Sequence, residues 1–181
     1  DVICYAADQY GSSGAIFVSH TYQPSSNPGP AAAHFAEVEV DTLTGLCRLT
    51  AFTAAHDVGK AINPELCRGQ VGSALQQGMG LVFCEQVKID PKTGQPLNAT
   101  LQRYHVARAC DFPHIETVLV ENGSPEGPYG AKSIGESCFV PVAPALLAAV
   151  NDALQTDLTT LPLTPEKIIR AVQEKRKEAS L

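Results

Sequence analysis

The 181-residue chain has no excess of basic residues: Lys and Arg number 13 against 19 Asp and Glu, giving a formal charge of -6. Nucleic-acid binding normally needs basic residues gathered on one face. The one cationic stretch, Lys167, Lys175, Arg176 and Lys177, interleaves with Glu166, Glu174 and Glu178 as on a solvated helix, so no nucleic-acid partner is expected. No apolar run approaches the ~20 residues that span a bilayer. The first residues lack a basic stretch followed by an apolar run, so neither export nor a membrane is indicated and a cytoplasmic location is expected. The six cysteines include no CxxC pair, which argues against an iron-sulfur or zinc site made from this chain, and no metal ligand is expected from it. Reduced, buried thiols are the expected reading. The sequence also has no GxSxG elbow, no HxxxH spacing, no GxxxxGK[ST] and no GxGxxG, which disfavours hydrolases, zinc sites and ordinary nucleotide folds.

What is present is a globular composition, 44% hydrophobic and 18% charged, long enough to bury a core. The stretch YQPSSNPGP at 22–30 cannot propagate helix or strand, and it separates a leader at 1–30, entering from an upstream segment, from a domain at 31–181. The leader's apolar run at 15–18 reads as a strand. AEVEV and CRLTAF flank the turn sequence DTLTG and predict a β-hairpin, with Glu37 and Glu39 on a wet face and Val38 and Val40 on the other. Asn63 and Pro64 start a helix over 64–83 that faces Val71, Leu75, Met79 and Val82 inward. Gly69, Gly72, Gly78 and Gly80 weaken that helix and imply close backbone approach. A second hairpin is expected over 85–101 and a buried strand over 115–120. Helices follow the Gly/Pro-rich stretch 123–135, one near 142–154 and one from Thr164 towards Glu178. The fold class is α+β: β-hairpins and a mixed sheet packed with about three helices.

Chemistry concentrates in few places. A strand, a glycine-rich loop and a helix can present backbone amides to an anion, and here the loop GAKSIGE ends in the carboxylate of Glu136. Two readings stand open: Glu136 is a catalytic carboxylate, or it caps the helix that follows. Lys132 is either an anion contact or a solvated loop residue. GQVGSALQQGMG puts Gln70 and Gln77 on one helical face, where their amides could read a pterin or purine edge or merely accompany close helix packing. His56 and Asp57, with His105, could suggest a metal or triad site, but the five histidines read better as hydrogen-bonded structural residues.

Taken in order, AEVEVDTLTG, AAHDVGKAINP, GQVGSALQQGMG, NATLQRYHV, GAKSIGE, APALLAAVNDA and LPLTPEKI resemble the C-terminal part of the molybdopterin-binding subunit of the xanthine dehydrogenase and aldehyde oxidoreductase family, over roughly 32–170. The resemblance implies Glu136 as the active-site base, Gln70 as a ligand of the pterin, and Lys132, Ser133 and Gly135 as flanking cofactor contacts. It implies the molybdenum cofactor (molybdopterin), with iron-sulfur clusters and FAD on other chains or domains, and as partners the rest of the molybdenum-binding subunit, an iron-sulfur subunit and an FAD subunit. The implied reaction is hydroxylation of a purine or related N-heterocycle with oxygen from water, with an aldehyde as the second substrate class. Position 72 is Gly where relatives often carry an acidic residue. The upstream substrate-pocket segments are missing from the sequence, so it is expected to be inert alone. Readings outside enzymology are a cofactor-free assembly module and a phosphate-binding domain using the glycine loop.

Overall fold

A computed structural model describes residues 19–27 and 29–178; the strand expected at 15–18 lies outside them. Strands β1 (Ala32–Val40) and β2 (Cys47–Asp57) form the predicted hairpin, and β3 (Ile115–Val120) pairs parallel to β2, giving a mixed sheet in the order β1-β2-β3. The hairpin turn is held by Asp41, whose carboxylate accepts from the Leu43 amide at 2.8 Å and the Thr44 hydroxyl at 2.8 Å, while Gly45 takes φ +72°. Glu37 and Glu39 lie on the wet face as expected, Glu39 beside Arg48.

The register of the hairpin slips once. Val38 pairs with Leu49 and Glu37 with Ala51, so Thr50 is an extra residue on β2, and its hydroxyl donates to the Glu37 carbonyl at 2.9 Å. Because side chains alternate along a strand, one extra residue changes which parity points inward. Leu49 is buried before the bulge; Phe52, Ala54 and His56 are buried after it.

Helix α1 (Pro64–Met79) starts where Asn63 and Pro64 placed it, with the Asn63 side chain accepting from the Leu66 amide at 3.1 Å. It continues into a π-helical turn, Gly80–Cys84. Val71, Leu75, Met79 and Val82 are all buried, the face the spacing predicted. After the 123–134 loop come a short α2 (Gly135–Phe139), α3 (Val142–Leu154) and α4 (Pro165–Glu178). Helix α3 covers the hairpin, and α1 packs on α2 and α3. The core joins Phe52, Leu75, Leu146, Val150, Leu163 and Ile168, each at most 1% exposed.

Three expectations need correction. The second hairpin is reduced to one bridge, Ile89 to Pro96. Pro91 and Pro96 have no amide to donate, and the Asn98 side chain, accepting from the Lys88 amide at 2.9 Å and donating to the Gln86 carbonyl at 2.7 Å, satisfies the groups a ladder would pair. Strand β3 is half-exposed rather than buried, because only the face bearing Ile115, Thr117 and Leu119 is covered while Glu116, Val118 and Val120 on the other face are exposed. Close approach explains Gly78, where a Cβ would overlap Val142, and Gly80, where it would overlap Glu85; a Cβ at Gly69 or Gly72 would meet nothing within 4 Å.

That contrast is testable by denaturant unfolding. Gly78→Ala should lose about 1–3 kcal/mol through overpacking against α3. Gly72→Ala should be neutral or gain up to about 1 kcal/mol from helix propensity.

Candidate active site

The loop between β3 and α2 is irregular because its glycines and prolines leave little chance of a ladder or helix, and it is tied down by specific bonds. Gly123 donates to the Gly59 carbonyl at 2.8 Å and Lys132 to the Val58 carbonyl at 2.8 Å. The Glu126 carboxylate accepts from Ser25 through both amide (3.0 Å) and hydroxyl (2.6 Å), and from the Tyr22 hydroxyl at 3.1 Å. The preceding irregular segment is thereby pinned to the loop.

Glu136 stands in the first turn of α2, whose N-cap is Ile134 and which has no side-chain cap. The capping role is therefore absent. Among the described residues the Glu136 carboxylate has no hydrogen-bond or ionic partner. It lines a cleft of about 610 Å³ together with Gly135, Phe139 and Val140 on one side and Gln70, Ser73, Ala74 and Gln77 of α1 on the other. Gln77 reaches the Ser73 hydroxyl at 3.4 Å, and Gln76 points the other way, to the Ala107 carbonyl at 3.4 Å. The Gln70 amide, like Glu136, is unengaged among the described residues. Residues far apart in sequence thus present a free carboxylate and a free amide to one opening.

The structure does not bring Lys132 and Ser133 into that cleft. They border a separate hollow of about 150 Å³ near Ser124, Glu126 and Gly127. The Lys132 ammonium instead donates to Asp57 Oδ2 at 2.7 Å, with the two side chains only 13% and 15% exposed. Lys132, and then the Gly59 amide at 3.0 Å on Oδ1, hold the Asp57 carboxyl below its ordinary pKa.

His56, which adjoins Asp57, is buried and belongs to a polar chain that sequence reading missed. Its Nε2 is 2.8 Å from His34 Nε2 and its Nδ1 is 3.9 Å from Cys138 Sγ. Burial, and then the neighbouring His56, pull His34 down to about 4; burial also lowers His56 and pushes the Cys138 thiol up to about 11. Both imidazoles are therefore neutral near pH 7. The His34–His56 contact needs one protonated and one unprotonated ring nitrogen, which two neutral imidazoles supply. The signal for His34 was available, since it shares the inward parity of Ala36 and Val38; Cys138 had none, because α2 is too short to show a period.

A second opening of about 690 Å³ lies between the start of β2, Met79, Phe83, Cys84 and the segment from His105 to His114. No residue singled out for chemistry in the sequence faces it, apart from His105. The irregular tract HVARACDFPH offers no periodicity from which it could have been found.

Residues 4–113 match the family model of the molybdopterin cofactor-binding domain. The chain is 39% identical over 162 residues to the protein named "Probable hypoxanthine oxidase XdhD" of Escherichia coli (strain K12), covering 89% of this chain and 17% of that one. It is 34% identical over 157 residues to the xanthine dehydrogenase molybdenum-binding subunit of Escherichia coli O157:H7, covering 86% and 21%. The crystal structure of quinoline 2-oxidoreductase from Pseudomonas putida 86 superposes with a TM-score of 0.73 at 39% identity, over 78% of this chain and 18% of that one. Carbon monoxide dehydrogenase and aldehyde oxidoreductase subunits also match, at 32% and 31% identity. The chain thus spans about a fifth of the length of the relatives it matches. Its relatives include molybdenum-binding subunits of xanthine dehydrogenase and aldehyde oxidoreductase, and the chain itself belongs to the molybdopterin cofactor-binding domain family.

Proposed function

We propose that this chain supplies the general base and one pterin contact of a molybdenum hydroxylase that oxidises a purine-like N-heterocycle. The observation that carries the proposal is the pairing of two unengaged polar groups, the Glu136 carboxylate and the Gln70 amide, across one cleft. The donor set suits a pterin cofactor. An amide offers a donor and an acceptor together, which matches the mixed hydrogen-bonding edge of a pterin, and at Gly135, which lines the cleft, a Cβ would meet nothing within 4 Å, so a ring can approach the backbone closely there.

When bound, the molybdenum–pterin group supplies the redox chemistry. The chain's own contribution is narrower. Glu136 takes up, at a carboxylate oxygen, the proton released as oxygen from water is transferred to an electron-poor carbon. Gln70 fixes the orientation of the pterin relative to that carboxylate. Phe139, Val140 and Ala74 give the cleft its apolar part, against which a flat heterocycle can lie. The N-heterocyclic preference is supported by the names of the relatives at 39% identity, a "Probable hypoxanthine oxidase" and a quinoline 2-oxidoreductase, against 31% for an aldehyde oxidoreductase subunit. Chains bearing iron-sulfur clusters and FAD, and the rest of the molybdenum-binding subunit, complete the proposed enzyme.

Metal analysis of the native assembly, with identification of co-purifying chains, should find stoichiometric molybdenum; its absence where a control hydroxylase is loaded would sink the proposal. Glu136→Gln should keep molybdenum and lose turnover by ~100-fold or more, the usual worth of a general base. Activity within ~10-fold of wild type would exclude that role. Gln70→Leu should act differently, lowering molybdenum occupancy while circular dichroism stays unchanged.

A further inference from the structure

We infer that the half-buried Asp57–Lys132 ion pair is a positioning device for Glu136, fixing the base against the end of β2. The inference rests on the reading of Glu136 as the base. Asp57 is the last residue of β2, the central strand of the sheet, and its backbone is held by the Ala31 carbonyl at 2.9 Å. Its carboxylate uses both oxygens: Oδ2 accepts from Lys132 Nζ at 2.7 Å and Oδ1 from the Gly59 amide at 3.0 Å. The Lys132 amide donates to the Val58 carbonyl at 2.8 Å, so the loop is fastened to this strand end by main chain and side chain together. Gly59, at φ +65°, admits no side chain, because a Cβ there would overlap the Gly130 carbonyl. The fit between the strand end and residues 130–132 is therefore close.

The other flank of Glu136 is held by the neighbouring residue of the same strand. Cys138 Sγ lies 3.9 Å from His56 Nδ1, and His56 is in turn 2.8 Å from His34. Successive strand residues point to opposite faces, so His56 and Asp57 grip Cys138 and Lys132 from two sides. Glu136 stands between those grips. Its own carboxylate has no partner among the described residues, so its placement depends on the backbone that carries it.

A solvated or anion-binding Lys132 would not look like this. Its ammonium is 13% exposed and directed at a carboxylate, and it lines a different hollow from Glu136. The exposed pair Lys60–Glu121, with side chains 58% and 40% exposed, shows the ordinary surface case beside it. A pair largely withdrawn from water is a poor source of net stability, since desolvation offsets much of the attraction, but it fixes geometry because either partner left alone there is costly. Geometry is what a base requires: a displacement of about 1 Å at a reacting group can lower the rate ~100-fold.

The test uses the complete molybdenum-loaded enzyme and its cofactor-free form. Asp57→Asn and Lys132→Met should each lower kcat by ~10–100-fold, with KM and molybdenum content near wild type. The double variant should be no worse than the poorer single, as expected for partners in one interaction. Lys132→Arg, which keeps the charge, should recover most of the activity. In the cofactor-free protein, Asp57→Asn should speed hydrogen exchange of the amides at 133–138 and leave that of α3 unchanged. Wild-type kcat in both single variants, or additive losses in the double variant, would overturn the inference. Loss of molybdenum along with kcat would overturn it too, by assigning the pair to cofactor loading. Glu136→Gln, measured in parallel, separates the two claims. If it stays active, the base reading fails. If it is inactive while the Asp57 and Lys132 variants turn over normally, only the positioning role fails.

Discussion

The alternation of side chains along β2, displaced once by Thr50, is the constraint on which the rest of this structure depends. Without the extra residue, the parity that buries Leu49 would bury Asp57 and turn His56 to the opposite face. With it, Phe52, Ala54 and His56 enter the core and Asp57 meets the loop. The core beneath α3 and the fastening of the 123–134 loop are therefore two outcomes of one register. A one-residue slip would change both together.

Packing around that strand explains how an exposed, irregular loop can hold Glu136 in a defined place. Helix α2 has only the residues Gly135–Phe139, too short to be stable through its own hydrogen bonds. Its anchor is Cys138, fully buried between α1 and the sheet, together with the Lys132 contact upstream. Gly78 lets α3 come close enough to α1 to close the layer, since any side chain there would strike Val142. The cleft holding Gln70 and Glu136 is the gap left at the edge of this packing, where α1 passes α2.

Much of this was legible in the sequence for identifiable reasons. The hairpin was visible because Val38 and Val40 alternate with Glu37 and Glu39 around a turn with an Asp and a Gly. Helix α1 was visible because Asn63 and Pro64 form a start signal and Val71, Leu75, Met79 and Val82 keep a helical spacing. The 85–101 segment misled because its strand-like residues compete with two prolines and with Asn98, whose side chain takes backbone partners that only three-dimensional proximity supplies. Lys132 and Asp57 could not be paired from sequence, and neither could Cys138 and His56, because those contacts join a strand to a loop and to a short helix distant in the chain.

By itself, then, the sequence determined the period of β1, α1, α3 and α4, because periodicity is a local property, while Glu136 as base and Gln70 as pterin ligand came only from what its resemblance to a known family implied. It could not decide whether Glu136 capped a helix or lined an open cleft, nor whether Lys132 was a contact-making or a merely solvated loop residue. Only the tertiary structure decided these, since each answer depends on which atoms lie within a few ångströms after folding. There Ile134 takes the cap position, Asp57 takes the ammonium, and Glu136 and Gln70 are left facing one cleft.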